Sequence, residues 1–245
     1  MEKDISWKQF LSDDSRYADL INGLGCGGRQ AVAETDLYEA DTQTGLIAGL
    51  ARITGLPRKR GGSIKIRDTV RKVAFGVNFA VIGIESQENT DYGLPLRNLL
   101  YDAGDYQKQA VRIRKEVKKE SAGLTPGEFL YGFRKDSRLN PVITFILYTG
   151  AKEWDGPRSL HDILAFNDIP AELSRHIPDY AINLIEVRKL TDTGIFRTDV
   201  KQVFDFIRYA ENKTALASLV EQDPYFKEME EDAYDVVTQY THTKE

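Results

Sequence analysis

Three residues have types and spacing that could do chemistry: Asp68, Glu85 and Gln87. Asp68 falls in phase with Ile64, Ile66 and Val70 in the alternating run from Ser63 to Val73, which predicts a strand with one apolar face. A carboxylate on such a face is costly unless it is paired or bound to a cation. Glu85 and Gln87 close the run from Phe79 to Gln87, in which Val81, Gly83, Glu85 and Gln87 share one side. A turn is expected at Gly76-Val77-Asn78 between the runs. A hairpin would let two carboxylates and an amide converge at one end of a sheet. Such a cluster can hold magnesium and leave positions for water and a phosphate oxygen. Strand ends also carry charge simply because they reach solvent, so spacing alone leaves both readings open.

Composition narrows the choice of cation. Cys26 is the only cysteine, so no internal disulfide and no thiolate zinc cluster can form. His161, His176 and His242 lack metal-ligand spacing. A bound metal would rest on carboxylates, which favours Mg2+ with Mn2+ as an alternative. The net charge of −5 argues against coating nucleic acid by bulk electrostatics, but basic residues cluster at Arg58-Lys59-Arg60 with Lys65 and Arg67, and again from Lys108 to Lys119. No apolar run approaches the roughly 20 residues of a membrane helix, and the charged start Met1-Glu2-Lys3-Asp4 lacks the pattern of a secretory signal. A cytoplasmic protein with no membrane partner is the expectation.

The elements that would position these residues read as follows. A helix is expected from about Trp7 to Asn22, stopped by Asn22-Gly23. Gly23 to Gly28 spells GxGxxG, but without a preceding strand it reads as a turn and implies no nucleotide cofactor. A short strand is expected in Leu37–Asp41, then an irregular insertion from Gly45 to Gly62, then the two strands above. A helix from about Leu96 to Lys119 has Leu96, Leu99, Leu100, Ala103 and Tyr106 as its expected inward stripe. Ser121 to Asp136 reads as a linker or lid. Pro141 to Tyr148 is a continuous branched apolar run, the pattern of a strand buried on both faces. Tyr180 to Val187 is a further strand candidate. Asp199 to Asn212 is amphipathic through Val200, Val203, Phe204 and Ile207, and Asp223-Pro224 opens a helix. The order predicts an α/β protein with a mixed sheet flanked by helices.

The stretch Ile66-Arg67-Asp68, then Ile82-Gly83-Ile84-Glu85-Ser86-Gln87, then Leu96-Arg97 with Tyr101, resembles the Rpn family of recombination-promoting nucleases, also labelled transposase-like. The likeness continues through Pro141 to Gly150 and Trp154, and Lys3-Asp4 with Trp7-Lys8 resembles the family's amino-terminal motif. It covers about residues 3 to 165. What it implies is a PD-(D/E)xK, restriction-endonuclease-like core over 1–165, with 166–245 as a mainly helical carboxy-terminal extension packed on it. It also implies DNA as partner and Mg2+ on Asp68 and Glu85. Gln87 would stand where the superfamily usually has lysine, able to position by hydrogen bonding but not to offset charge. Lys72, in strand phase with Asp68, is then a candidate for the cationic role, and Arg97 and Arg67 for holding substrate phosphates. Glu39 and Asp41 could add a carboxylate, though an exposed strand end is the plainer reading, and Asp4 could cap the first helix. Tyr101, Tyr148 and Trp154 are expected to pack rather than react.

The implied function is Mg-dependent endonuclease cleavage of DNA with little sequence specificity, linked to recombination, mobile elements or phage defence, by an enzyme that could act as a homodimer. The rival is a catalytically inactive nuclease-fold protein that binds DNA or protein. A strand-joining transposase in the strict sense would need a third spaced carboxylate, which the sequence does not single out. A defence nuclease held by a partner could use the acidic segment Glu228 to Asp235, which otherwise reads as a solvated face.

Overall fold

The computed structural model describes residues 3–39, 69–84, 90–120 and 123–240. The helices in these residues are α1 (Lys3–Phe10), α2 (Asp14–Cys26), α3 (Leu94–Lys119), α4 (Pro126–Tyr131), α5 (Ala171–Ser174), α6 (Val200–Tyr209), α7 (Lys213–Gln222) and α8 (Glu231–Thr238). The strands are β1 (Tyr38–Glu39), β2 (Thr69–Ala74), β3 (Val77–Ile84), β4 (Val142–Tyr148) and β5 (Asn183–Glu186). They form one mixed sheet in the order β1-β2-β3-β4-β5. The β1–β2 and β2–β3 pairs are antiparallel, and β3–β4 and β4–β5 are parallel. This is the α/β architecture expected of the chain. None of the described helices is long and apolar enough to cross a membrane.

The branched run Val142–Tyr148 is the middle of the molecule, and its alternation feeds two cores. Phe145 and Leu147 join Trp7, Phe10, Tyr17, Leu20, Val187, Phe204 and Val236 beneath α1, α2, α6 and α8. Ile146 and Tyr148 point the other way, into a cluster with Leu94, Trp154 and Ile182. Burying each large side chain contributes about 1.5–3 kcal/mol. The expected division near residue 165 falls between β4 and β5, which are neighbouring strands of one sheet, and the larger core draws on both sides of it.

Several boundaries differ from those expected, each for a local reason. The hairpin turn is Phe75-Gly76, with φ of 52° and 74°, one step before the expected Gly76-Val77-Asn78. Two left-handed residues suit the tight turn between β-paired Ala74 and Val77. The first helix is two helices, because Asp13 caps the second by accepting the Arg16 N–H at 2.9 Å. That second helix runs past Asn22-Gly23. A Cβ on Gly23 would lie 2.1 Å from the Phe196 ring, so the glycine there serves helix packing. The stop comes at Gly27, with φ of 60°. Asn22 instead clamps the next loop, its Oδ1 accepting the N–H groups of Ala31 and Val32, both at 2.9 Å. Asp223 does cap a turn at Pro224, but one of 3-10 type ending at Lys227.

The largest correction concerns α3. Leu96 is 46% exposed, Tyr106 36%, and Ala103 is exposed too, so the expected apolar stripe is not the inward face. The buried face carries Asn98, Asp102, Asp105 and Gln109. These polar groups have partners along β4 that an apolar stripe could not supply. Thr144 Oγ1 donates to Asp102 at 2.6 Å, and the Tyr180 hydroxyl donates to the other Asp102 oxygen while accepting from Asn98 Nδ2. Gln109 and Asn140 exchange two hydrogen bonds, of 3.1 and 2.6 Å. Burial, then the neighbouring Asp102, pushes the Tyr180 hydroxyl upward, so it stays a donor.

Polar contacts also join the chain's two ends. Arg16, 3% exposed, bonds Asp199 through Nε and a terminal nitrogen, Asp232 at 2.6 Å and Glu230 at 2.8 Å. Burial acts against the charge, yet these bonds hold the guanidinium firmly protonated. Asp19 accepts the N–H groups of Arg197 and Thr198 just before α6. Removing one partner of a buried ion cluster leaves the others uncompensated. Arg16→Met is therefore expected to cost about 3–5 kcal/mol in urea unfolding, and a loss below about 1 kcal/mol would contradict the assignment.

Asp223 offers a pH test. Burial raises its carboxyl, but bonds from Lys201 at 2.9 Å, Gln202 at 3.0 Å and the Tyr225 N–H at 3.1 Å outweigh this and hold it below the usual range. A depressed folded-state value stabilises fully above the unfolded value of about 3.9 and is lost as pH falls through the folded one. The stability gap between wild type and Asp223→Asn should be flat near neutrality and shrink below about pH 4. A gap unchanged through that range in urea titrations would refute the assignment.

Candidate active site

The parallel strands end abreast. Ile84 of β3 is the Cα partner of Tyr148 in β4, and Tyr148 that of Glu186 in β5. Open α/β sheets bind ligands beyond the carboxyl ends of their strands. At this edge lies a depression of about 200 Å³, lined by Tyr148, Gly150, Ala151, Lys152, Glu153, Glu186, Arg188 and Lys189.

Glu186 organises the depression, with its side chain 11% exposed. Its carboxylate accepts the Trp154 N–H at 3.1 Å, Lys189 Nζ at 3.1 Å and the Arg158 guanidinium. Burial alone would raise its pKa; the three donors outweigh it and hold the carboxyl below its ordinary range. Lys189 is raised in return, first by its bond to Glu186 and further by Glu153 at 3.3 Å. Arg188 Nε donates to the Thr149 carbonyl at 3.1 Å. Tyr148 donates to the Lys152 carbonyl at 2.8 Å and packs edge-on against Trp154 with ring centres 5.2 Å apart. Its burial, with the negative charge of Asp155 and Glu186, raises the phenol and keeps it protonated. Tyr148 and Trp154 are thus packing residues, as expected.

The loop after β4 also holds the segment leading into α3. Thr90 Oγ1 donates to Asp155 at 2.5 Å, the main cause of the low pKa of that carboxyl, and Tyr92 donates to its second oxygen at 3.4 Å. A Cβ on Gly156 would approach Thr90 Cγ2 to 2.6 Å, so a glycine permits this contact. Arg97, in the first turn of α3, pairs with Asp91 at 2.6 Å, and its Nε is buried with no hydrogen-bond partner among the described residues.

Of the residues expected to act, Asp68, Glu85, Gln87 and Arg67 lie outside the described residues, as does Asp41. Lys72 is buried on the face covered by α1 and α2, where Nζ donates to the Ser12 carbonyl at 2.6 Å and Asp14 at 2.5 Å, and sits 5.0 Å from the Tyr17 ring centre. Arg97 belongs to the helix on the opposite face, so the structure does not bring these two cations together. Glu39 pairs in register with Lys72 on the sheet's edge strand. Among the described residues no three His, Cys, Asp or Glu side chains group as a metal site would need.

Glu186, Arg158 and Lys189 were not foreseen. The signal was present: an acidic residue closing the branched run Asn183-Leu184-Ile185-Glu186 repeats the strand-end pattern that drew attention to Glu85. What the described lining can do is offer Lys152 and Arg188 to an anion, while Arg158 and Lys189 keep the carboxylate of Glu186 ionised beside them.

No curated protein matches the chain, and no solved structure does. Residues 128–235 match the family described as "Putative transposase, YhgA-like". The matched stretch runs from α4 through β4 and β5 into α8, well past residue 165, where the resemblance was expected to end. The resemblance read from the sequence is borne out to that extent: residues 128–235 are similar to the YhgA-like transposase family, consistent with the Rpn group.

Proposed function

We propose that the chain is a DNA endonuclease that hydrolyses phosphodiester bonds with little sequence preference, using Mg2+ (or Mn2+) held by Asp68 and Glu85. The observation that carries this reading is the strand register. Thr69 pairs with Ile82, and Ile84 lies abreast of Tyr148. Asp68 directly precedes Thr69 in the chain and Glu85 directly follows Ile84. The chain therefore enters β2 and leaves β3 at the same end of the sheet, the end where Glu186 and the cationic depression lie. The matched family is named for transposases, which fits DNA as substrate and a setting in recombination, mobile elements or phage defence.

Carboxylate oxygens suit a hard divalent cation, which when bound would lower the pKa of a coordinated water and polarise the scissile phosphate. The chain's own residues have simpler tasks. Gln87 aligns the attacking water by hydrogen bonding. Arg97, Arg67 and the cations of the depression hold phosphate oxygens, which positions a strand without reading its sequence. Lys72 is anchored to Asp14 and Ser12, so it braces β2 and its charge is already committed there.

Two observations favour a second reading, a non-catalytic module that keeps the fold and binds DNA or protein: Gln87 stands where the superfamily usually has lysine, and Lys72 is already committed. Plasmid cleavage separates the two. Wild type should cut with Mg2+ and not with chelator, and Asp68→Ala should be slower by at least about 100-fold, the loss of several kcal/mol of metal-dependent stabilisation. Undiminished cutting by Asp68→Ala removes the assignment. Absence of heat on titrating the wild type with Mn2+ favours the module.

A further inference from the structure

Helix α3 outlasts the sheet it packs on. Leu94 joins Tyr148 and Trp154 near the carboxyl end of β4, while Gln109 is bonded to Asn140, just before β4 begins. Residues 110–119 therefore carry the helix about 15 Å past the opposite edge of the sheet. Residues 108–119 contain six Lys and Arg against Glu116 alone, in a chain whose net charge is −5. Lys108, Arg112, Lys115 and Lys119 recur at intervals of four, three and four, which puts them in one row on the helix surface, about 16 Å long.

Arg112, Lys115 and Lys119 are exposed, and among the described residues none of them has a carboxylate partner. Lys108 is half-buried and lies 3.6 Å from Asp105. A soluble helix face ordinarily mixes charge signs; this row keeps one sign over three turns. Arg114, on another face of α3, meets the ring of Phe133, just after α4, at 5.6 Å, which leaves the row itself uncovered by that contact. A row of cations that can track a phosphate backbone is the electrostatic component of sequence-tolerant strand binding.

We propose that this row on α3 is a second polynucleotide site, binding phosphodiester oxygens at the end of the molecule opposite the candidate active site. The proposal rests on the reading above only for the identity of the polyanion. Its test is fluorescence anisotropy in chelator with labelled single-stranded and duplex oligonucleotides, comparing wild type with the variant Lys108→Gln, Arg112→Gln, Lys115→Gln, Lys119→Gln.

Losing four phosphate contacts should reduce the slope of log affinity against log salt by about 2.8 for a single strand or about 3.6 for a duplex. Between about 50 and 200 mM salt that is a difference of about 50-fold or 150-fold in salt sensitivity. The double variant Arg112→Gln, Lys115→Gln, expected to show half the slope change, serves if the quadruple variant unfolds by circular dichroism. The binding assay contains no metal and reads no cleavage, so this site and the catalytic reading fail separately. Equal slopes for wild type and row variants, no wild-type binding to either oligonucleotide, or equal preference for heparin would overturn the proposal.

Discussion

Arg16 sits among Asp199, Glu230 and Asp232, carboxylates from the segments that open α6 and α8, and is almost wholly shielded from water. A guanidinium buried without counterions would cost several kcal/mol, so α2 can settle on the sheet only when both later helices begin beside it. The same condition works in reverse, since three clustered carboxylates repel one another without the cation. Sequence-distant ends are thereby made one structural unit, and the larger core, which draws on Trp7 and Phe10 as well as Val203 and Val236, closes only with them in place.

That closure reaches the candidate site through a short chain of hydroxyls. Trp7 Nε1 donates to the Tyr240 hydroxyl at 3.0 Å, which donates to Thr149 Oγ1 at 3.0 Å. Thr149 directly follows β4 and offers its carbonyl to Arg188. The loop that leaves the carboxyl end of the central strand is thus held by one residue from each terminus. Loops positioned by a rigid scaffold are where binding groups commonly sit, and here the scaffold includes both ends of the chain.

The sequence was most readable where apolar periodicity and burial agree. The run Val142–Tyr148 is the strand buried on both faces that its branched residues predict, and Val200, Val203, Phe204 and Ile207 all turn inward at helical spacing. It was least readable on α3, where an apolar stripe and a polar stripe lie side by side and hydrophobicity favours the wrong one. Which stripe faces in was decided by Thr144, Asn140 and Tyr180, far along the chain, and no local pattern reports that. The end of α2 was misread for a similar reason, because a glycine that stops helices by conformation can also sit inside one to admit a ring such as Phe196. Of the site, Glu186 was legible as a strand-ending acid, while its grip on Trp154, Arg158 and Lys189 depends on loops that only the fold brings together.

The polar seam between α3 and β4 has a mechanical corollary. Apolar faces can slide past one another with graded loss of contact, whereas hydrogen bonds hold at discrete positions. A shift of α3 by one turn, about 5.4 Å, would part Asp102 from Thr144 and Gln109 from Asn140 together. The helix therefore behaves as a ruler with a single allowed setting. Its first turn stands at the carboxyl edge of the sheet and its last beyond the amino edge, so the span between those two surfaces is fixed when the protein folds.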